Sequence, residues 1–132
     1  MHESRQISVS IDTNAALAYA FLSEPMNFTQ WASGLGALHK SNGQWIAETP
    51  DGPMRLRFSE NNAFGVLDHW VSPQAGAEIY IPMRVVANGA GCELIFTLFR
   101  QPGMTQEKFE ADAAWVERDL LAAKKLLEAE AR

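Results

Sequence analysis

TQEKFEADAAWVERDLLAAKKLLEAE, residues 105–130, decides the architecture. Phe109, Ala113, Val116, Leu120, Ala123 and Leu127 recur in it at alternating steps of four and three. That spacing places all six on one stripe of an α-helix, and the stripe must be buried. About 25 residues at ~1.5 Å each give a helix of ~37 Å, enough to cross a whole sheet. Coiled-coil pairing is the competing explanation, but only some three heptads are present, and the strands upstream carry an apolar face that also needs a cover. The helix is therefore expected to lie lengthwise in the concavity of a sheet.

Working back from Pro102-Gly103, turn signals arrive at strand-like intervals from Leu35 onward. They are Ser41-Asn42-Gly43, Pro50-Asp51-Gly52-Pro53, Asn61-Asn62, Pro73-Gln74-Ala75-Gly76 and Asn88-Gly89-Ala90-Gly91. Asn-Gly pairs supply the positive φ that tight hairpins need, so the alternating segments between the turns are expected to pair antiparallel in a meander. No helical crossover separates them, which excludes an α/β sheet. At the N-terminal side Ile7, Val9 and Ile11 alternate with polar residues, the period of a strand with one buried face. Asp12 or Thr13 can cap a following short helix whose Leu17, Ala20 and Phe21 share a face and which stops at Glu24-Pro25. Phe28 and Trp31 suit a second short helical piece ending before Ser33-Gly34. The order β-α-α-β(several)-α reads as one α+β domain over residues 1–132, with a sheet of about six to seven strands.

With 132 residues, 47% of them hydrophobic and 20% charged, the chain is sized and composed to bury one core without staples. A net charge of −5 with scattered basic residues argues against nucleic acid. Cys92 is the single cysteine, and the opening Met-His-Glu-Ser-Arg-Gln has no apolar stretch of the signal-peptide kind, which reads as cytoplasmic. The longest apolar run, residues 15–22, is far short of the ~20 residues a membrane span requires. His2, His39 and His69 are isolated and no paired-cysteine or His-Glu-x-x-His motif occurs, so no metal is expected. The glycines at 34, 36, 89 and 91 lack the pattern of a phosphate loop, and no cofactor is expected.

This order of elements, with GVLDH at 65–69, PMRVVANG at 82–89, FTLFRQPGM at 96–104 and WVERDL at 115–120, resembles the SRPBCC or START-like superfamily, also called the helix-grip fold. The resemblance covers essentially the whole chain, which is similar to small bacterial members labelled polyketide cyclase-like or simply SRPBCC proteins. It implies a curved antiparallel sheet wrapped around the C-terminal helix, with a mainly apolar cavity between them for a lipid, polyketide or other hydrophobic ligand. It implies no particular reaction, because binding proteins, cyclases and hydrolases share the scaffold. The Rieske-bearing oxygenases of the superfamily differ, since this chain has no Cys/His ligand pairs.

A turn at residues 73–76 that sets His69 opposite Ile81 puts Leu67, His69, Val71, Ile79, Ile81, Met83 and Val85 on one face. Leu94, Phe96, Leu98 and Arg100 join them across the next turn. Asp68, Trp70, Tyr80, Arg84 and Thr97 then point outward, and a one-residue slip exchanges the two sets. His69 is the polar residue among apolar neighbours, able to bind a ligand oxygen or move a proton, or else a hydrogen-bonded core histidine. Asp68 faces the opposite side and forms no dyad with it. Arg100 has the donor fork to pair a ligand carboxylate or phenolate, with a surface salt bridge to Glu78 or Asp112 as the alternative. Arg55 and Arg57 read as the solvent face of a half-buried strand. Trp31, Trp45, Trp70 and Trp115 suit either packing or a pocket wall.

The first functional reading is a protein that binds a small hydrophobic molecule between sheet and helix. Its wall comprises Phe58, Leu67, Ile81, Met83, Phe96 and Leu98 from the sheet and Phe109, Val116 and Leu120 from the helix, while His69 or Arg100 orients a polar group. The second is a cyclase or dehydratase with His69 as general acid or base. The third is an interaction module, possible as a homodimer, that uses the outward Trp70 and Tyr80.

Overall fold

The computed structural model describes residues 1–73 and 78–130, so most of the expected 73–76 turn lies outside the described residues. The final helix, α3, spans Gln106–Glu130. The Thr105 hydroxyl accepts from the Lys108 N–H at 3.1 Å and caps its first turn. Its stripe is buried as the spacing requires: Phe109, Ala113, Leu120, Ala123 and Leu127 are inaccessible, with Val116 half-buried.

Among the described residues eight strands precede this helix: β1 (Ser4–Ile11), β2 (Leu38–Ser41), β3 (Gln44–Thr49), β4 (Gly52–Phe58), β5 (His69–Pro73), β6 (Ile79–Ile81), β7 (Met83–Asn88) and β8 (Gly91–Phe99). All pairings are antiparallel, in the orders β2-β3-β4-β5-β6 and β1-β8-β7. The two groups meet where β6 runs into β7. Pro82 has no N–H to give to a ladder, so the strand bends there. The Thr97 N–H still reaches the Pro82 carbonyl at 3.0 Å, and Val66 bridges to Arg84. Counting β6 and β7 as one bent run, the curved sheet has seven strands, in line with the expected six to seven.

Gly65 makes the second half of that bend possible. Its φ is +72°, and a Cβ on it would collide with the Val85 carbonyl oxygen. Only glycine lets the backbone approach so closely, and the Val85 N–H then donates to the Gly65 carbonyl at 2.9 Å.

Two short helices, α1 (Ala15–Leu22) and α2 (Phe28–Trp31), follow β1, with a 3₁₀ turn at Pro25–Asn27 leading into α2. The cap of α1 is neither Asp12 nor Thr13. Asn14 takes that role, its side chain accepting from the Leu17 N–H at 2.9 Å. Thr13 instead donates to the Leu127 carbonyl and the Asp12 N–H donates to Glu128, which ties the end of β1 to α3. The buried face of α1 also differs from the expected one, because Ala18 and Leu22 are inaccessible while Leu17 is exposed. α2 packs against α3 and closes one side of the space between helix and sheet. Among the described residues no helix is long and apolar enough to cross a membrane.

Candidate functional site

Register fixes the centre of the site. His69 pairs with Ile81 and with Phe58, which sends its side chain toward α3 and α2, while Asp68 one residue earlier points to the opposite face. The imidazole is 2% exposed. Phe28 meets it edge-on at 5.4 Å, Phe96 edge-on at 6.3 Å and Phe58 tilted at 6.2 Å between ring centres. Nδ1 lies 3.1 Å from the Leu67 carbonyl oxygen, an acceptor, so the ring proton sits on Nδ1 and Nε2 is left as an acceptor. Burial pushes the His69 pKa below its ordinary value, against the smaller opposing influence of the Leu67 bond and the Asp68 charge. The ring is therefore a neutral imidazole at physiological pH.

Beside it lies a half-open cavity of about 150 Å³, bounded by Phe28 and Trp31 of α2, Leu35 of the following loop, Val71, Ile81 and Phe96 of the sheet, and Val116 and Leu120 of α3. A space of about 150 Å³ lined by aliphatic and aromatic groups holds one benzene-sized ring. Ser33 and Asp119 supply its polar wall. The Asp119 carboxylate accepts from the Ser33 hydroxyl at 2.5 Å and from its N–H at 3.2 Å. Burial raises the Asp119 pKa, and these two bonds only partly offset it. The Trp115 indole donates to the Ser33 carbonyl at 3.2 Å. The 33–36 loop is thus clipped onto the middle of α3.

Of the residues expected in the site, His69, Ile81, Phe96, Val116 and Leu120 border this cavity. Phe58, Leu67 and Met83 gather on the other side of His69, around a void of only about 10 Å³, and form packed support rather than open wall. Leu98 packs half-buried against the core, and Phe109 is fully buried with the Arg5 guanidinium 5.1 Å above its ring. Arg100 is absent from the lining. It bonds Glu3, Gln106 and the Met104 carbonyl, and neither of its expected alternative partners is there: Glu78 pairs with Arg57 and Asp112 with Lys108. Of the tryptophans only Trp31 joins the cavity; Trp70 stacks on Tyr80 on the outer face and Trp115 is exposed. Phe28, Leu35, Ser33 and Asp119 were not anticipated. Their one sequence signal is Asp119 beside the apolar stripe, since residues 28–35 reach the site only through the fold.

Asp68 organises the outer face behind the site. Its carboxylate accepts from Arg84 Nε at 3.0 Å and Nη2 at 2.9 Å, from the Tyr80 hydroxyl at 2.7 Å and from the Met83 N–H at 2.9 Å. Burial works to raise the Asp68 pKa, but these bonds together outweigh it and hold the carboxyl below its ordinary value. The bonds also pin the strand on the far side of Pro82, so that His69 and Met83 keep their places. A larger depression of about 580 Å³ by Arg55, Arg57 and Glu60 is an open, polar surface groove.

A curved antiparallel sheet closed on a long C-terminal helix, with two short helices after the first strand, is the helix-grip fold of SRPBCC and START-like proteins. Solved structures place the chain beside the protein XoxI from Bacillus cereus (TM-score 0.78, 11% identity, 98% of each chain covered). They also include Zhui aromatase/cyclase from Streptomyces sp. R1128 (TM-score 0.73, 16% identity, 100% of this chain and 97% of that one). A START superfamily protein from Mycobacterium smegmatis is similar in the same degree (TM-score 0.72, 11% identity, 98% and 99%). At such identities the likeness is one of fold. No protein-family model and no curated protein sequence matches the chain.

Proposed function

We propose that the protein binds a small, neutral, hydrophobic molecule between the concave face of its sheet and α3. The observation that carries this reading is the cavity of about 150 Å³ with aromatic and aliphatic walls, in a fold shared with a START superfamily protein and an aromatase/cyclase. Burial of apolar ligand surface drives binding, at about 25 cal/mol per Å² before ordering losses. The cyclase reading is weaker for two physical reasons. The space matches one ring rather than a folded polyketide chain, and the other titratable side chain on the wall, Asp119, already has its carboxylate engaged by Ser33. The outward Trp70 and Tyr80 remain the surface on which homodimerisation is tested, by light scattering.

Replacing Phe96 by Trp tests the binding reading. The larger ring projects from β8 into the cavity, so saturable binding of single-ring aromatics, followed by tryptophan fluorescence and native mass spectrometry, is lost while the far-UV circular dichroism is kept. Undiminished binding by the folded variant removes the site from this cavity.

A further inference from the structure

The proposed site contains two hydrogen-bonding groups left over from the packing. Trp31 is 4% exposed, yet its indole Nε1–H is buried without a partner. A donor stranded in this way loses its hydration and gains nothing in exchange, which native interiors rarely tolerate. His69 supplies the complement. Its Nδ1–H is taken up by the Leu67 carbonyl, and among the described residues Nε2 has no hydrogen-bond partner. Both rings pack on Phe28, at 5.0 Å for Trp31 and 5.4 Å for His69, and both border the same cavity. No lysine or arginine is among the lining residues, so nothing there would pair an anion.

We propose, on the strength of the binding function above, that the ligand is a single-ring neutral molecule carrying a hydroxyl, a phenol being its simplest form. A small shift of the packing over Trp31 Nε1–H lets the ligand oxygen accept from it, and the ligand O–H donates to His69 Nε2. The cavity size sets the one ring, the unpaired donor and acceptor set the hydroxyl, and the lack of a basic side chain excludes a carboxylate.

Phenol, toluene and benzoate separate the possibilities, because phenol and toluene differ by a hydroxyl against a methyl of similar size. An apolar pocket without partners discriminates against phenol, since an unpaired buried hydroxyl is unfavourable. Here phenol is expected to bind at least as tightly as toluene by calorimetry, and benzoate not at all. Trp31→Phe removes the donor, and the phenol-to-toluene affinity ratio should fall by about 10-fold, the worth of one buried hydrogen bond. A ratio cancels any general loosening that the substitution causes. In the intact protein, the Trp31 indole proton should move downfield with phenol relative to toluene, a readout that needs no variant. Toluene binding tighter than phenol, or a ratio unchanged by Trp31→Phe, overturns the hydroxyl assignment and leaves a plain apolar pocket. No binding of either ring overturns the cavity reading as well.

Discussion

Mild acid should destabilise this protein through one side chain. His69 is 2% exposed and its burial lowers its pKa below the ordinary imidazole value of about 6.5, so the folded state holds it neutral at pH values where the unfolded chain protonates it. For a histidine with a lowered folded pKa, the unfolded state binds the extra proton. Stability is therefore full above about pH 6.5 and falls as pH drops below that value, until the folded pKa is reached. One proton taken up only by the unfolded chain makes stability fall with pH by at most ~1.4 kcal/mol per pH unit below about pH 6.5. Urea unfolding followed by tryptophan fluorescence at pH 7, 6 and 5 measures it. The control is His69→Phe, which keeps the aromatic packing against Phe28, Phe58 and Phe96 but has no proton to take up. Asp119, whose pKa is raised, acts in the opposite sense because its protonation favours the folded state, but it is present in both proteins and drops out of the difference. Parallel pH profiles for the two proteins, within about 0.5 kcal/mol of each other, would refute the placement of a neutral, water-excluded imidazole at the cavity.

Asp68→Ala should lower stability by about 2–3 kcal/mol in urea at pH 7, at the low end for a buried pair because Arg84 is 46% exposed. Since the folded Asp68 pKa is depressed, its contribution is present above the unfolded carboxylate pKa and lost as pH falls through the folded one. The wild type should thus show an extra acid limb below about pH 4 that the variant lacks. Gly65→Ala, forced to φ +72° with its Cβ against the Val85 carbonyl, should cost at least ~1–3 kcal/mol in a thermal melt, and a neutral result would contradict the close approach of Gly65 to Val85. Leu120→Ala should destabilise by about 2–5 kcal/mol and enlarge the cavity, so that a two-ring ligand excluded from the wild type binds the variant in a fluorescence titration.

The parts of the fold legible in the sequence are those written in short-range periodicity. The stripe from Phe109 to Leu127 and the alternation through Leu67, His69 and Val71 each specify a buried face locally, and the pairing of His69 with Ile81 is the one that a turn at residues 73–76 sets. Competition between adjacent residues blurs the rest. Asp12, Thr13 and Asn14 are all competent caps; Asn14 caps the helix, and the Thr13 hydroxyl is instead taken by the Leu127 carbonyl of α3, 114 residues further on. Strand alternation continued through Arg100 points it at the cavity, but the strand ends at Phe99, and its side chain turns to Glu3, 97 residues away. The cavity rim suffers most. Ser33 and Asp119 meet across 86 residues, and nothing local to either records the contact.

The pairing of the first strand with the last governs how the chain can fold. Ser4 faces Phe99 and Ile11 faces Cys92, so β1 has no ladder partner until β8 has been synthesised. At translation speeds of about 5–20 residues per second, Ile7, Val9 and Ile11 wait roughly 5–20 s as a solvent-exposed apolar edge. Contacts of such long sequence separation also place the protein among slow-folding topologies, because the loop must close before the pairing rewards it. The grip of the sheet on the helix thus rests on a strand pairing that spans most of the chain.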